Sequence, residues 1–196
     1  SSENKLLISA KLQKWLDEEI NNTLYPLNKK LDENINSEIR AIVFNCFENF
    51  GNYPIEKFKD TLKTIKKDSK LQLSKLGIRI GAKYFFSPNL LKKKPLELNA
   101  ILWKTFYQND NADYLPLPSN GRVSFTSKTK MPDNYWQSIG CINIKNFIFR
   151  IDVFEKIFFI ARQKLKKGPF LESPDLMNPV GCNSNQLKDI MIFCGY

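Results

Sequence analysis

The chain has 196 residues, 42% hydrophobic and 13% aromatic, enough apolar material for one large domain or two small ones and too much for disorder as the main state. Lys and Arg number 30 against 20 Asp and Glu, a net charge of +10, and such an excess favours polyanionic partners such as nucleic acid or an anionic membrane surface. The chain contains no His, which excludes Ser-His-Asp, Cys-His and HExxH chemistry, and no GxxxxGK[ST] run provides a nucleotide-phosphate loop.

No apolar run reaches the roughly 18 residues needed to cross a bilayer, and the polar start SSENKLL is not a signal peptide. A soluble, cytoplasmic protein without membrane partners is the expectation. The start without Met points to a segment of something longer. Cys46, Cys141, Cys182 and Cys194 form no CxxC pair, so buried, reduced thiols are expected in place of a metal site.

From Lys11 to about Leu31, the residues Leu12, Trp15, Leu16, Ile20, Leu24, Leu27 and Leu31 recur at helical spacing, which predicts an amphipathic helix disturbed near Pro26. Asp17, Glu18 and Glu19 lie on this helix beside Lys14 and read as solvated charges, not as an active-site pair. A second periodicity, Ile39, Ile42, Val43, Cys46, Phe47 and Phe50, ends at Gly51, expected as the left-handed C′ residue. Pro54 then suits a first helical turn, and Ile55, Phe58, Leu62, Ile65, Leu73 and Leu76 continue a helical stripe to Gly77. The pair resembles a helix-turn-helix in outline, although a plain helical hairpin is the commoner explanation.

After Gly77 the period changes to two. Ile78 and Ile80 fall on one side and Arg79 on the other, followed by Tyr84, Phe85 and Phe86, which predicts a short strand or extended segment. Lys92, Lys93 and Lys94 precede Pro95, which is expected to open a helix that turns Leu98, Ile101, Leu102 and Phe106 inward. Between Pro54 and Lys94, eleven Lys and one Arg stand against Glu56, Asp60 and Asp68, so nearly the whole charge excess lies here.

The stretch QNDNADYLPLPSNGR, residues 108–122, lacks periodicity, and 109–122 within it is the predicted linker or long loop. In CINIKNFIFRI, two β-rich arms flank Lys145 and Asn146 as a two-residue hairpin turn. Asp152 is the expected cap of a helix that buries Phe154, Ile157, Phe158, Ala161 and Leu165 and stops at Gly168. Asn183 with Gln186 makes a capping-box pattern for a last helix closed by Gly195. Its exposed side offers only Lys188 beside Asp189, too little for specific DNA readout. The predicted class is α+β, mostly α-helical. It comprises a helical domain over 1–108 with an extended segment near 78–86, and a hairpin-and-helix part over 123–196 with a winged-helix-like arrangement as one option.

Leu76-Gly77-Ile78-Arg79-Ile80-Gly81, then Pro88, Leu90-Leu91-Lys92 and Leu102-Trp103, together with Arg150, Asp152 and Glu155 in an R-x-D-x-x-E pattern, resemble the C-terminal accessory region of alpha-proteobacterial superfamily-2 (DExH-type) helicases related to the mitochondrial degradosome RNA helicase. The resemblance spans nearly the whole chain and is most specific in its first block. It implies a non-catalytic tail, with ATP and Mg bound only by the motor domains of the parent chain and no cofactor or metal here. This chain departs from the family in its wealth of Lys and Asn, where relatives carry Arg and Ala.

The expected role is sequence-independent binding of single-stranded or partly duplex RNA or DNA, with Lys and Arg neutralising phosphates. The candidate contacts are Lys66, Lys67, Arg79, Lys83, Lys92, Lys93, Lys94 and Lys145. Arg79 either reaches a phosphate or pins its turn through a carboxylate. Tyr84 and Trp103 are possible stacking platforms, although their apolar neighbours favour burial. The alternative is a scaffold that docks the helicase motor or a partner protein, marked by an exposed apolar patch.

Overall fold

A computed structural model describes residues 2–28, 35–107, 114–119 and 121–196. Among these the chain is α+β and mostly helical, with nine α-helices and two three-stranded antiparallel sheets. The helices are α1 (Ser2–Asn28), α2 (Ser37–Glu48), α3 (Lys59–Thr64), α4 (Lys67–Lys75), α5 (Lys93–Phe106), α6 (Asp133–Ser138), α7 (Ile151–Leu165), α8 (Pro174–Met177) and α9 (Ser184–Cys194). One sheet has the order β1 (Asn52–Pro54), β3 (Tyr84–Phe86), β2 (Arg79–Ile80); the other has β4 (Ser124–Thr126), β6 (Phe147–Arg150), β5 (Cys141–Ile144).

The central strands β3 and β6 are covered on both faces, which is why they read as unbroken apolar runs rather than alternating ones. Phe85 faces a cluster built by Ile39, Ile42, Val43 and Leu73, whereas its neighbour Phe86 faces Phe154 and Ile157. In β6, Ile148 packs with Ala100, Trp103 and Trp136, while Phe147 and Phe149 point to α7 and α9. The two sheets therefore partition three apolar clusters. Two of these clusters combine residues from both sides of the 109–122 segment. Asn52 adds a polar tie, donating from Nδ2 to the Gln137 carbonyl at 2.7 Å.

Several expectations are corrected by this packing. The helix predicted from Pro54 is broken. Pro54 ends β1 in extended conformation, a 3-10 turn covers Ile55–Phe58, and Ile65 and Lys66 are extended between α3 and α4. The strand wins because Tyr53 pairs with Phe85, about thirty residues downstream, a partner invisible to local periodicity. At the end of α2, Phe50 rather than Gly51 takes the left-handed C′ place, with φ +57. The Phe50 N–H bonds to the Phe47 carbonyl at 3.2 Å and the Gly51 N–H to Cys46 at 2.7 Å, which makes Gly51 the C″ residue.

Helix α5 is rotated from expectation, burying Leu96, Ala100 and Trp103 while Ile101 and Phe106 are exposed. Asp152 lies inside α7 rather than capping it. The N-cap is Arg150, and Leu165 is exposed. Helix α1 begins at Ser2 and runs through Pro26, but its predicted apolar face is uncovered at Leu12 and Trp15, each 60% exposed. Of that predicted face, the side chains of Leu24 and Leu27 and the whole of Leu31 lie outside the described residues, as do residues 108–113 and 120 of the loop.

Other local signals carried through. Lys145 (φ +50) and Asn146 (φ +66) form the two-residue turn between β5 and β6. The capping box of α9 is complete, both Asn183–Gln186 bonds measuring 2.9 Å. All four cysteines are buried and free. Burial pushes the thiols of Cys46, Cys141 and Cys194 up to about 12, which keeps them protonated and unreactive. No helix among the described residues is long and apolar enough to cross a membrane.

Candidate nucleic-acid interface

The basic region is organised by the β2–β3 hairpin. Helix α4 terminates at Gly77, whose φ of +82 suits a residue without a Cβ. Its N–H reaches the Ser74 carbonyl at 3.0 Å, and the Ile78 N–H reaches Leu73 at 3.0 Å. The chain then leaves in extended form with Ile78 buried and Arg79 exposed opposite Phe86. Gly81 closes the hairpin through its N–H to the Tyr84 carbonyl at 2.8 Å.

The turn itself wraps a carboxylate. Glu155 of α7, only 7% exposed, accepts backbone N–H bonds from Ala82, from Lys83 at 2.9 Å and from Tyr84 at 2.8 Å. Three converging N–H groups form a small anion cradle, which the protein fills with its own side chain. A Cβ at Gly81 would overlap the Glu155 carboxyl group, so glycine is required here for closeness, not for dihedral freedom. Arg150 and Asp152, the other members of the R-x-D-x-x-E pattern, pair with each other at 2.6 and 3.0 Å. The two sequence blocks that carry the resemblance thus meet in one tertiary contact. A carboxylate does pin this turn, but through backbone N–H groups, and Arg79 pairs with no acid among the described residues.

Burial raises the pKa of Glu155 above the ordinary 4.5, an effect that the three N–H bonds and nearby Lys83 oppose without cancelling. The folded chain therefore holds this proton to higher pH than the unfolded chain does. Its contribution is fully present below the unfolded value and is lost as pH rises through the raised folded value. Urea melts from pH 4 to 7 are expected to show this fall in the wild type and to lack it in Glu155→Gln, which cannot titrate. Parallel pH profiles in the two proteins would refute the assignment.

All eight candidate cations are exposed. Arg79 and Lys83 share the hairpin, Lys83 with its Nζ 5.4 Å from the centre of the Phe158 ring. Lys66 is the N-cap of α4 and Lys67 its first residue. Lys92, the N-cap of α5, follows β3 after a single 3-10 turn, Pro88–Leu91, and leads into Lys93 and Lys94. Three of the eight have internal partners: Lys93 with Glu97 at 3.9 Å, Lys94 with Glu19 at 3.0 Å and Lys145 with Asp189 at 2.7 Å. Such exposed pairs are weak and yield readily to phosphate. Lys145 stands apart on the second sheet, bound to α9, whereas the other seven follow one another along α4, the hairpin and the start of α5.

Trp103 is 1% exposed and Tyr84 half-buried, which removes the first as a stacking platform. Two of the exposed aromatics, Phe106 (76% exposed) and Tyr107, lie together on the rim of a cleft of about 450 Å³ that also includes Phe47, Phe50, Asn134 and Gln137. Sequence reading missed this cleft because it assigned Phe106 to the inner face of α5. Among the described residues no group of three or more His, Cys, Asp or Glu is placed to hold a metal ion. Comparison with protein-family models, curated proteins and solved structures finds no match.

Proposed function

We propose that the chain is a non-catalytic accessory module of an ATP-dependent helicase that contributes sequence-independent binding of RNA or DNA, with ATP and Mg belonging to the motor. The observation that supports this most is the run of exposed cations on firmly packed elements. Lys66, Lys67, Arg79, Lys83 and Lys92 carry no ion pair among the described residues, and Glu155 binds the hairpin between them through three backbone N–H groups. Exposed cations neutralise phosphates and release their counterions, so affinity comes from charge and is steeply salt-dependent. Fluorescence anisotropy with labelled single-stranded RNA and DNA of unrelated sequences is the direct test. Binding at low salt with little sequence preference is expected, and no binding at low salt rejects the reading for this chain.

A scaffold role, docking the helicase motor or a partner protein, is favoured by a different observation: the uncovered apolar residues of α1. The two roles use separate surfaces. Loss of one under mutation is expected to leave the other intact.

A further inference from the structure

Every residue from 3 to 15 of α1 is exposed. Only from Leu16 onward does the helix sink towards α2 and α5, with Leu16, Glu19, Ile20 and Thr23 half-buried. The outer part is therefore a rod about 20 Å long with no covering of its own. A helix this short is marginal in water unless one face is buried against something. Its composition invites such burial, since Leu6, Leu7, Ile8, Leu12 and Trp15 are all more than half exposed. Ile8, Leu12 and Trp15 follow the 4,3 spacing of a helix-pairing seam, and Lys5, Ile8, Leu12 and Leu16 line a shallow groove beside it.

Charge indicates what covers the seam. Lys5, Lys11 and Lys14 lie in the outer half of α1, and Asp17, Glu18 and Glu19 follow directly, with no Lys or Arg after Lys14 within the helix. Lys11 and Glu18 are seven residues apart and both exposed, so they lie on the same flank of the Ile8, Leu12, Trp15 stripe. In an antiparallel helix pair related by a two-fold axis, each flank faces the same flank of the other copy, read in reverse. We propose that this face of α1 docks a second copy of the chain, antiparallel, with Leu12 and Trp15 of the two copies interleaved and Lys11 of each copy beside Glu18 of the other. The surface is self-complementary, as an isologous contact requires. In a parallel pair this flank would face the opposite one, which carries Ser9 and Leu16, and Lys11 would not meet Glu18. The inference does not depend on nucleic-acid binding.

Sedimentation equilibrium of the full chain, free of nucleic acid, provides the test. A monomer–dimer equilibrium is expected. Leu12→Glu should weaken it about 100-fold or more, because the substitution enters the seam twice. Lys11→Glu should weaken it about threefold to tenfold at low salt, and Lys11→Glu with Glu18→Lys should restore it. All these positions are exposed, so each variant is expected to fold, with its melt lowered only by the association it loses. A chain that stays monomeric up to about 100 μM, a range in which even weak specific contacts register, overturns the proposal. So does a dimer that Leu12→Glu leaves unchanged, and a double charge reversal that fails to restore association overturns the antiparallel arrangement.

Discussion

Replacing Glu155 by Ala is expected to lower the stability of the chain by about 3 kcal/mol, because three backbone N–H donors at Ala82, Lys83 and Tyr84 lose their acceptor in a partly buried turn. Gly81→Ala should cost about 2 kcal/mol for a related reason, its new methyl group competing with the Glu155 carboxyl group for the same space. The two changes are coupled. Once Glu155 is shortened to Ala, the methyl at position 81 meets open space, so the double variant should be less destabilised than the sum of the singles by about 1 kcal/mol or more. Urea denaturation of the four proteins measures this cycle, and strict additivity would show that the carboxylate and Gly81 do not share the contact. A second readout bears on function. If Glu155 holds the hairpin cations in place, Glu155→Ala should also weaken nucleic-acid binding under conditions where the chain is still folded.

Changing Lys92, Lys93 and Lys94 together to Ala is expected to reduce affinity for single-stranded nucleic acid about tenfold or more at low salt, and to flatten the dependence of log affinity on log salt by about 2 units. The slope is the more diagnostic quantity. For single strands each neutralised phosphate contributes about 0.7 to it, and a merely structural defect would lower affinity without changing how many counterions are released. The three positions are exposed, and Lys93 and Lys94 make only surface pairs with Glu97 and Glu19, so the melting temperature should move little. Lys145→Ala serves as the comparison, since Lys145 lies on the other sheet beside Asp189. An unchanged slope in the triple variant would place the interface elsewhere on the chain.

Much of the local architecture was legible in the residues. The capping box of Asn183 and Gln186, the turn at Lys145 and Asn146, the Gly77 helix end and the alternation of Ile78, Arg79 and Ile80 all depend on neighbours within about five positions, and all appear as read. The errors share one cause. Strand β1 exists because Tyr53 finds Phe85, and β4 exists because Phe125 finds Ile148; neither three-residue strand carries a signal of its own. The face of α5 was misjudged because Trp103, not Phe106, is the residue that Tyr135 and Trp136 enclose, its ring centre 5.0 Å from that of Tyr135. Glu155 went unrecognised as an anchor because its donors lie more than seventy residues earlier in the chain.

From the sequence alone come the charge, the absence of histidine chemistry, the mostly helical class and the identity of the basic segment, since these follow from residue type and short-range periodicity. Only the tertiary structure decided which apolar residues are covered, that the hairpin and α7 are joined through Glu155, and that the outer half of α1 is left bare. The physical reason is that burial and backbone satisfaction are settled between segments distant in sequence. Periodicity shows that a face is apolar, but what lies against it depends on the rest of the chain.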